Sequence, residues 1–259
     1  IEDIDERPRI EIENGWTLII IRIPVNTNNV KLPFNTIPVG IVFKGDICVT
    51  ISFHKTEMFT DFVVYTQRKG KNIKDNFDLV LKLLLSSSVW YLKYLKQVNQ
   101  KIKLAEDNLE ESIKNEELQA LLQIEKCLVF FMTSLKGNDI LLHRIKNLKS
   151  QRDSYDPELL EDVEIELRQA QETTNIYSDI LTGMMDAYAS VISNNLNAIM
   201  KQMTSISIIL MIPTVIASLY GMNVPNNLEG NAYGLPIVIL VSIILSVFGV
   251  FLFKKKRWF

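Results

Sequence analysis

Asn197, Met200, Thr204, Ser207, Met211, Thr214 and Ser218 recur at intervals of three and four residues. On a helix that spacing gathers them on one face. The face carries amide and hydroxyl oxygens and thioether sulfurs, with no carboxylate, imidazole or thiol among them. A row of neutral oxygens can accept hydrogen bonds from water, or from the water shell of a cation. The remaining faces hold Ile206, Ile208, Ile209, Leu210, Val215 and Ile216. The stripe also suits a helix-packing seam, because small polar residues let membrane helices approach closely. Pattern alone leaves both readings open.

The stripe enters the first of two apolar segments. Residues 203–220 contain no charge, and neither do residues 235–253. Each is near the ~20 residues that cross a hydrocarbon layer. Lys201 precedes the first segment, and Lys254-Lys255-Lys256-Arg257 follows the second, while the connection 221–234 carries a single charge, Glu229. Basic residues stay on the cytoplasmic side, so both termini are expected there and the connection outside. The chain opens at Ile1 rather than Met, which leads us to expect an upstream segment, and residues 1–9 show no signal peptide.

Other chemistry is thin. Cys48 and Cys127 form no Cys-x-x-Cys, and His54 and His143 have no metal-like spacing. Walker A, dinucleotide-binding and nucleophile-elbow motifs are missing, so the chain does not read as an enzyme. A net charge of −2 gives no reason to expect nucleic acid as a partner. Charge is nevertheless uneven: residues 153–186 hold ten acids and one base, Arg168. Several copies near one axis would repel, and bound divalent cations would relieve that repulsion. The acids could equally solvate the helix, or pair with Lys82, Lys93, Lys96, Lys101 and Lys103.

The upstream elements must position this machinery. Alternating Ile10 and Ile12, the Asn14-Gly15 turn signal and the β-branched run 17–23 predict a hairpin. Residues 36–43 and 47–53, around Lys44-Gly45-Asp46, predict a second. From Thr56 helical spacing takes over, with long helices over 76–111 and 115–149. Lys136-Gly137-Asn138-Asp139 is expected to break or kink the latter. Asp156-Pro157 then opens a helix that can run to Tyr220, roughly 95 Å at 1.5 Å per residue. Leu160, Val163, Leu167, Ala170, Thr174, Tyr177, Leu181, Met184, Tyr188 and Val191 give it a heptad seam that needs neighbours along its length. Two spans cannot enclose a conduit, so a conduit would require several copies.

Tyr220-Gly221-Met222-Asn223 ends the first span, after Pro213-Thr214-Val215-Ile216-Ala217-Ser218-Leu219. Upstream lie Asn197-Ala198-Ile199-Met200-Lys201-Gln202-Met203-Thr204, Asp186-Ala187-Tyr188 and, near the start, Asp5-Glu6-Arg7-Pro8-Arg9. This series resembles the CorA-type magnesium transporters, whose signature is Gly-Met-Asn at that place. The resemblance implies a funnel-shaped homopentamer. Its cytoplasmic α+β funnel domain would lead into a long stalk helix and two C-terminal transmembrane helices. Residues 1–155 would form the cytoplasmic α/β domain with long helices, and 156–202 the stalk. Residues 203–223 would form the first transmembrane segment and the mouth. An external loop, 224–234, and a second span, 235–253, would follow, then a basic cytoplasmic tail, 254–259. The expected setting is the cell's inner or plasma membrane, crossed more than once, with itself, the bilayer and divalent cations as partners.

The same resemblance assigns roles. Gly221, Met222 and Asn223 would form the selectivity filter, with amide oxygens of Asn223 receiving the waters of a hydrated Mg2+. Asn197 would form a second ring. Met203 and Met211 fall where the family places apolar residues facing the conduit, and Thr214 would add hydroxyl oxygens. Asp162 matches a regulatory position, and Asp186 would face the axis. Mg2+ is thus expected as both cargo and regulator, with Co2+ or Ni2+ as possible substrates. The alternatives are a CorA-like transporter of Co2+, Ni2+ or Zn2+, and a non-conducting membrane-anchored coiled-coil scaffold. One departure stands out: many relatives carry Met-Pro-Glu-Leu after Gly-Met-Asn, whereas this chain has Val224-Pro225-Asn226-Asn227-Leu228-Glu229.

Overall fold

The computed structural model describes residues 3, 5–27, 29, 32–69, 73–111, 115–149, 156–223, 233–256 and 258. They divide into two compact units, Ile1–Met185 and Asp186–Phe259. The first unit holds a four-stranded antiparallel sheet in sequence order: β1 (Arg9–Glu13), β2 (Trp16–Asn26), β3 (Phe34–Lys44) and β4 (Ile47–Ile51). Asn14 and Gly15 both have positive φ, 50° and 79°, as the tight turn joining β1 to β2 demands. Gly45, at φ 54°, turns β3 into β4. Ile19, Ile20, Ile21 and Ile23 are all fully buried. Adjacent strand residues point to opposite faces, so both faces of β2 are covered, which explains its unbroken apolar run.

Helices α1 (Glu57–Lys69), α2 (Asn76–Glu111) and α3 (Asn115–Lys149) follow. Phe34 of β3 meets Tyr94 of α2 and Phe131 of α3, with ring centroids 5.2 and 6.3 Å apart. Tyr91 packs edge-on against Phe131. Its hydroxyl donates to the Arg22 carbonyl at 3.2 Å, and burial pushes the phenol above its ordinary pKa.

The expected break at Gly137 does not occur, because α3 runs through it unbroken. The glycine serves a tertiary contact instead: a Cβ there would lie 2.8 Å from Pro8 Cγ. Its neighbour Asn138 solves a problem at the edge of the sheet. β1 pairs with β2 only as far as Ile20, which leaves the Arg22 backbone facing beyond the end of β1. The Arg22 N–H donates to Asn138 Oδ1 at 2.9 Å, and Asn138 Nδ2 donates to the Arg22 carbonyl at 2.7 Å. One amide thus replaces the missing strand. Two residues on, Pro24 turns its imide nitrogen to the same open edge, where no ladder bond is lost.

The Arg22 side chain is buried as well. Its Nε donates to Ser134 Oγ, Nη2 to the Thr36 carbonyl, and Nη1 to the Glu6 carbonyl at 2.9 Å. Desolvation lowers the pKa of this guanidinium. The segment preceding β1, the sheet and α3 are therefore tied at one point.

Helix α4 spans Pro157–Tyr220 and α5 spans Gly234–Lys255. Asp156 caps α4: its Oδ1 accepts from the Leu159 N–H at 3.4 Å and its Oδ2 from Lys74 Nζ at 3.1 Å. The lysine's hydrogen bond holds this carboxyl below its usual range. The first part of the heptad seam finds its neighbours within this chain. Leu160, Val163, Leu167, Ala170, Thr174 and Leu181 are already buried within the first unit. There α4 lies along α3, with Gln171 donating to the Leu135 carbonyl and Lys146 paired with Glu164 at 2.8 Å. Val191, further along, is exposed.

Asn138→Ala leaves the buried Arg22 N–H without its acceptor, a loss of about 2 kcal/mol. We expect the detergent-solubilised protein to melt about 4–8 °C lower by circular dichroism. Substitution of the neighbouring, half-exposed Asp139 by Ala should leave melting unchanged.

Candidate functional site: the exposed stripe of the first span

The second unit contains the C-terminal part of α4 and all of α5. Its two helices meet through a defined face. Ser205 of α4 is fully buried, and Ser242 and Gly249 of α5 are buried too. A Cβ on Gly249 would stand 3.4 Å from Ile212 Cδ1 and 3.6 Å from Ile209 Cγ1. A Cβ would thus make ordinary contact there, while a larger side chain would not fit between the helices. Further along, a cavity of about 610 Å³ is lined by Pro213, Ala217 and Tyr220 of α4 and by Val238, Ser242 and Ser246 of α5. Helix α4 is unbroken through Pro213.

Asn197, Met200, Met203, Thr204, Ser207, Met211, Thr214 and Ser218 are all exposed. Met200, Met203 and Met211 keep 65%, 64% and 61% of their surface, large values for apolar side chains. At about 100° per residue, the centre of this stripe lies roughly opposite Ser205, Ile209, Ile212 and Ile216. The helix therefore packs α5 with one side and leaves the polar side uncovered. Met203 lies toward the edge of the stripe.

The hydroxyls are prepared in a particular way. Ser207 Oγ donates to the Met203 carbonyl at 2.9 Å, and Thr214 Oγ1 to the Leu210 carbonyl at 3.2 Å. With each proton directed into the helix, only lone pairs remain for a partner outside it.

At the mouth, the Gly221 N–H donates to the Ala217 carbonyl at 2.9 Å, continuing the helical turn. Its φ is not in the left-handed region, so Gly221 does not terminate the helix as an αL cap. A Cβ there would sit 3.3 Å from the Ala217 carbonyl oxygen. Met222 and Asn223 follow, both exposed. Glu229 and the rest of residues 224–232 lie outside the described residues, as do Asp153 and Arg257.

Asp162, in the first unit, and Asp186, in the second, are both exposed. Among the described residues no group of three or more His, Cys, Asp or Glu side chains could hold a metal ion. Two of the lysines expected to neutralise the acids are engaged elsewhere. Lys82 contacts Asp78 at 2.7 Å, and Lys93 lies 3.6 Å over the Trp90 ring.

Sequence reasoning missed a feature at the opposite end of the span. Trp258 stacks on Phe253, with centroids 5.6 Å apart, and lines a cavity with Asn194, Asn197, Lys201 and Gln202. An aromatic directly after a basic run was the available signal.

Comparison with known proteins places these features in context. A family model described as CorA-like Mg2+ transporter protein matches residues 1–255. A cobalt/magnesium transport protein CorA from Methanocaldococcus jannaschii is 25% identical, over 99% of this chain and 81% of its own length. Another, from Thermotoga maritima, is 26% identical over 100% of this chain and 74% of its own. The solved structure of the complete CorA magnesium transporter from Methanocaldococcus jannaschii superposes with a TM-score of 0.82 at 25% identity, over 99% of this chain and 81% of that one.

Gly249→Ala fills ordinary van der Waals space, whereas Gly249→Leu drives carbons into Ile209 and Ile212. Overpacking of this kind costs about 1–3 kcal/mol. We expect the Leu variant alone to lose monodispersity at a lower temperature, read by size-exclusion chromatography after heating.

Proposed function

We propose, from the premise that this chain belongs to the CorA-like Mg2+ transporter family, that it is one subunit of a homopentameric channel for hydrated Mg2+. As a family member it is a membrane transporter of divalent cations and not an enzyme. The observation that carries the finer reading is the uncovered polar stripe of α4, set opposite the face that packs α5. Copies of α4 arranged around an axis give every stripe water and every α5 an outer position. A chain with two spans has no other way to surround a path.

Mg2+ dehydrates reluctantly and demands near-ideal octahedral oxygens when it does. The stripe holds no carboxylate, so it suits an ion that keeps its water. Asn223, repeated at the mouth with Gly221 and Met222, accepts hydrogen bonds from that water shell, and Asn197 does so near the cytoplasmic end. Met200, Met203 and Met211 narrow the path with apolar groups, where closure by dewetting is available. Thr204, Ser207, Thr214 and Ser218 supply hydroxyl oxygens between them. Both termini lie in the cytoplasm, in keeping with Lys201 and the basic run at Lys254.

Regulation follows from Asp162 and Asp186. Among the described residues neither belongs to a group of three or more metal-binding side chains, so a cytosolic divalent ion at either would take its remaining ligands from another subunit. Bound ions would hold a closed, symmetric state, and their loss would favour opening. Co2+ is the second cargo to consider, because two relatives are named cobalt/magnesium transport proteins.

Mg2+ uptake into proteoliposomes containing a magnesium-sensitive dye tests the mouth. Asn223→Ala is expected to reduce uptake to that of empty vesicles while the pentamer persists. Unchanged uptake would remove Asn223 from the filter, and no uptake by the unmodified protein under low internal divalent ion would favour a scaffold. The stripe has its own test, in a Cys48→Ser background. A membrane-impermeant thiol reagent should modify Ser207→Cys and spare Ile212→Cys; the reverse pattern would turn the stripe away from water.

A further inference from the structure

The cavity around Trp258 belongs to neither the stripe nor the mouth, apart from Asn197 at its edge. It encloses about 600 Å³ between α4 and the segment after α5. Its lining joins one cation, Lys201, to three amides, Asn194, Asn197 and Gln202, and to the Trp258 ring. The ring stacks on Phe253, and the Trp258 backbone N–H donates to the Phe253 carbonyl at 3.0 Å. No ion pair or hydrogen bond occupies the Lys201 ammonium among the described residues; only its backbone carbonyl is used, by Ser205 Oγ.

Three placements point to one ligand. First, the cavity sits at the charged boundary of the span: Lys201 is the last charge before the apolar segment, and Lys254, Lys255 and Lys256 close the other helix. Lys256 is two residues from Trp258, so its backbone lies within about 7.6 Å of the ring's own. Second, Lys201, Ala198, Asn194 and Gln202 centre on the α5 side of α4, roughly opposite the exposed stripe at about 100° per residue. The cavity thus opens away from the path that the stripe would line. Third, a tryptophan beside lysines is the composition of a membrane–water interface, where an indole sits at headgroup depth and ammonium groups meet anionic lipid.

We propose that Lys201, with the amides of Asn194 and Gln202 and the Trp258 ring, binds the phosphate of an anionic phospholipid headgroup, one lipid per subunit, in the cytoplasmic leaflet. The ammonium supplies charge, the amides supply directed N–H donors, and the indole covers the glycerol region. The inference uses the orientation given under the proposed function but does not require conduction. A lipid held here would bridge α4 to the end of α5.

The test is native mass spectrometry of the intact, delipidated assembly, titrated with phosphatidylglycerol or phosphatidylcholine. Phosphatidylglycerol should saturate at one per subunit and bind about fivefold or more tightly than phosphatidylcholine. Lys201→Gln should lower that preference about fivefold, Lys201→Arg should retain it, and Lys93→Gln, in the other unit, should not alter it. Asn194→Leu gives a second route should Lys201→Gln fail to assemble, and it should weaken phosphatidylglycerol binding without changing charge. Equal binding of the two lipids, or a preference untouched by both Lys201→Gln and Asn194→Leu, overturns the proposal. Displacement of phosphatidylglycerol by millimolar inorganic phosphate would assign the same groups to a free anion and overturn the lipid. These outcomes are read from binding, so a failure of ion flux leaves them intact.

Discussion

A polar stripe on a membrane helix must find water or a partner, and the second unit is built around that demand. Helix α4 satisfies its own backbone, and Ser207 and Thr214 satisfy their protons by donating back into the helix. What remains is a line of oxygen lone pairs and thioethers on a face that α5 does not cover. Exposed to hydrocarbon, that line gains nothing. Beside water or polar groups of a partner, it is satisfied. The demand acts on α5 as well, whose Gly249 and Ser242 let it lie close against the opposite face and stay there.

The first unit meets a comparable demand in water. A sheet whose first strand stops early leaves the Arg22 backbone facing the interior, where an unpaired N–H is costly. Asn138 supplies both missing bonds, Pro24 removes the next donor, and Gly137 admits Pro8 so that the preceding segment can close over the site. The buried guanidinium of Arg22 then gathers Glu6, Thr36 and Ser134 around the same point. A charge so placed is held by carbonyls and hydroxyls in fixed positions, which favours one docking of helix on sheet over near alternatives.

Local signals carried much of this into the sequence. Asn14-Gly15 announced a turn because few other residues tolerate positive φ at both positions, and the strands and long helices fell where their periodicities lay. Gly137-Asn138 misled for a physical reason: the pair has breaker chemistry locally, but its role is set by Pro8 and Arg22, which are more than a hundred residues away. The heptad seam was legible as a face that needs cover. Periodicity reports that a face is buried, not what buries it, and as far as Leu181 the cover comes from the same chain. Of the candidate site, the exposed stripe was legible because helical spacing fixes which residues share a face. The lining around Trp258 was not, since it joins residues some sixty positions apart.

The oxygens of the stripe also bear on what could pass along it. Asn, Ser and Thr offer dipoles rather than charges, so a divalent ion approaching with its water intact meets acceptors for the hydrogens of that shell. A carboxylate at the same position would hold such an ion longer and invite it to shed water, at a cost that Mg2+ bears poorly. Conduction needs sites favourable enough to enter and weak enough to leave. Hydroxyls that donate to carbonyls four residues back leave lone pairs outward, which accept the hydrogen bonds that a cation's water shell donates. A run of acids lies instead in the first part of α4, earlier in the sequence than the apolar segment, where Asp162 is exposed and Glu164 already pairs with Lys146.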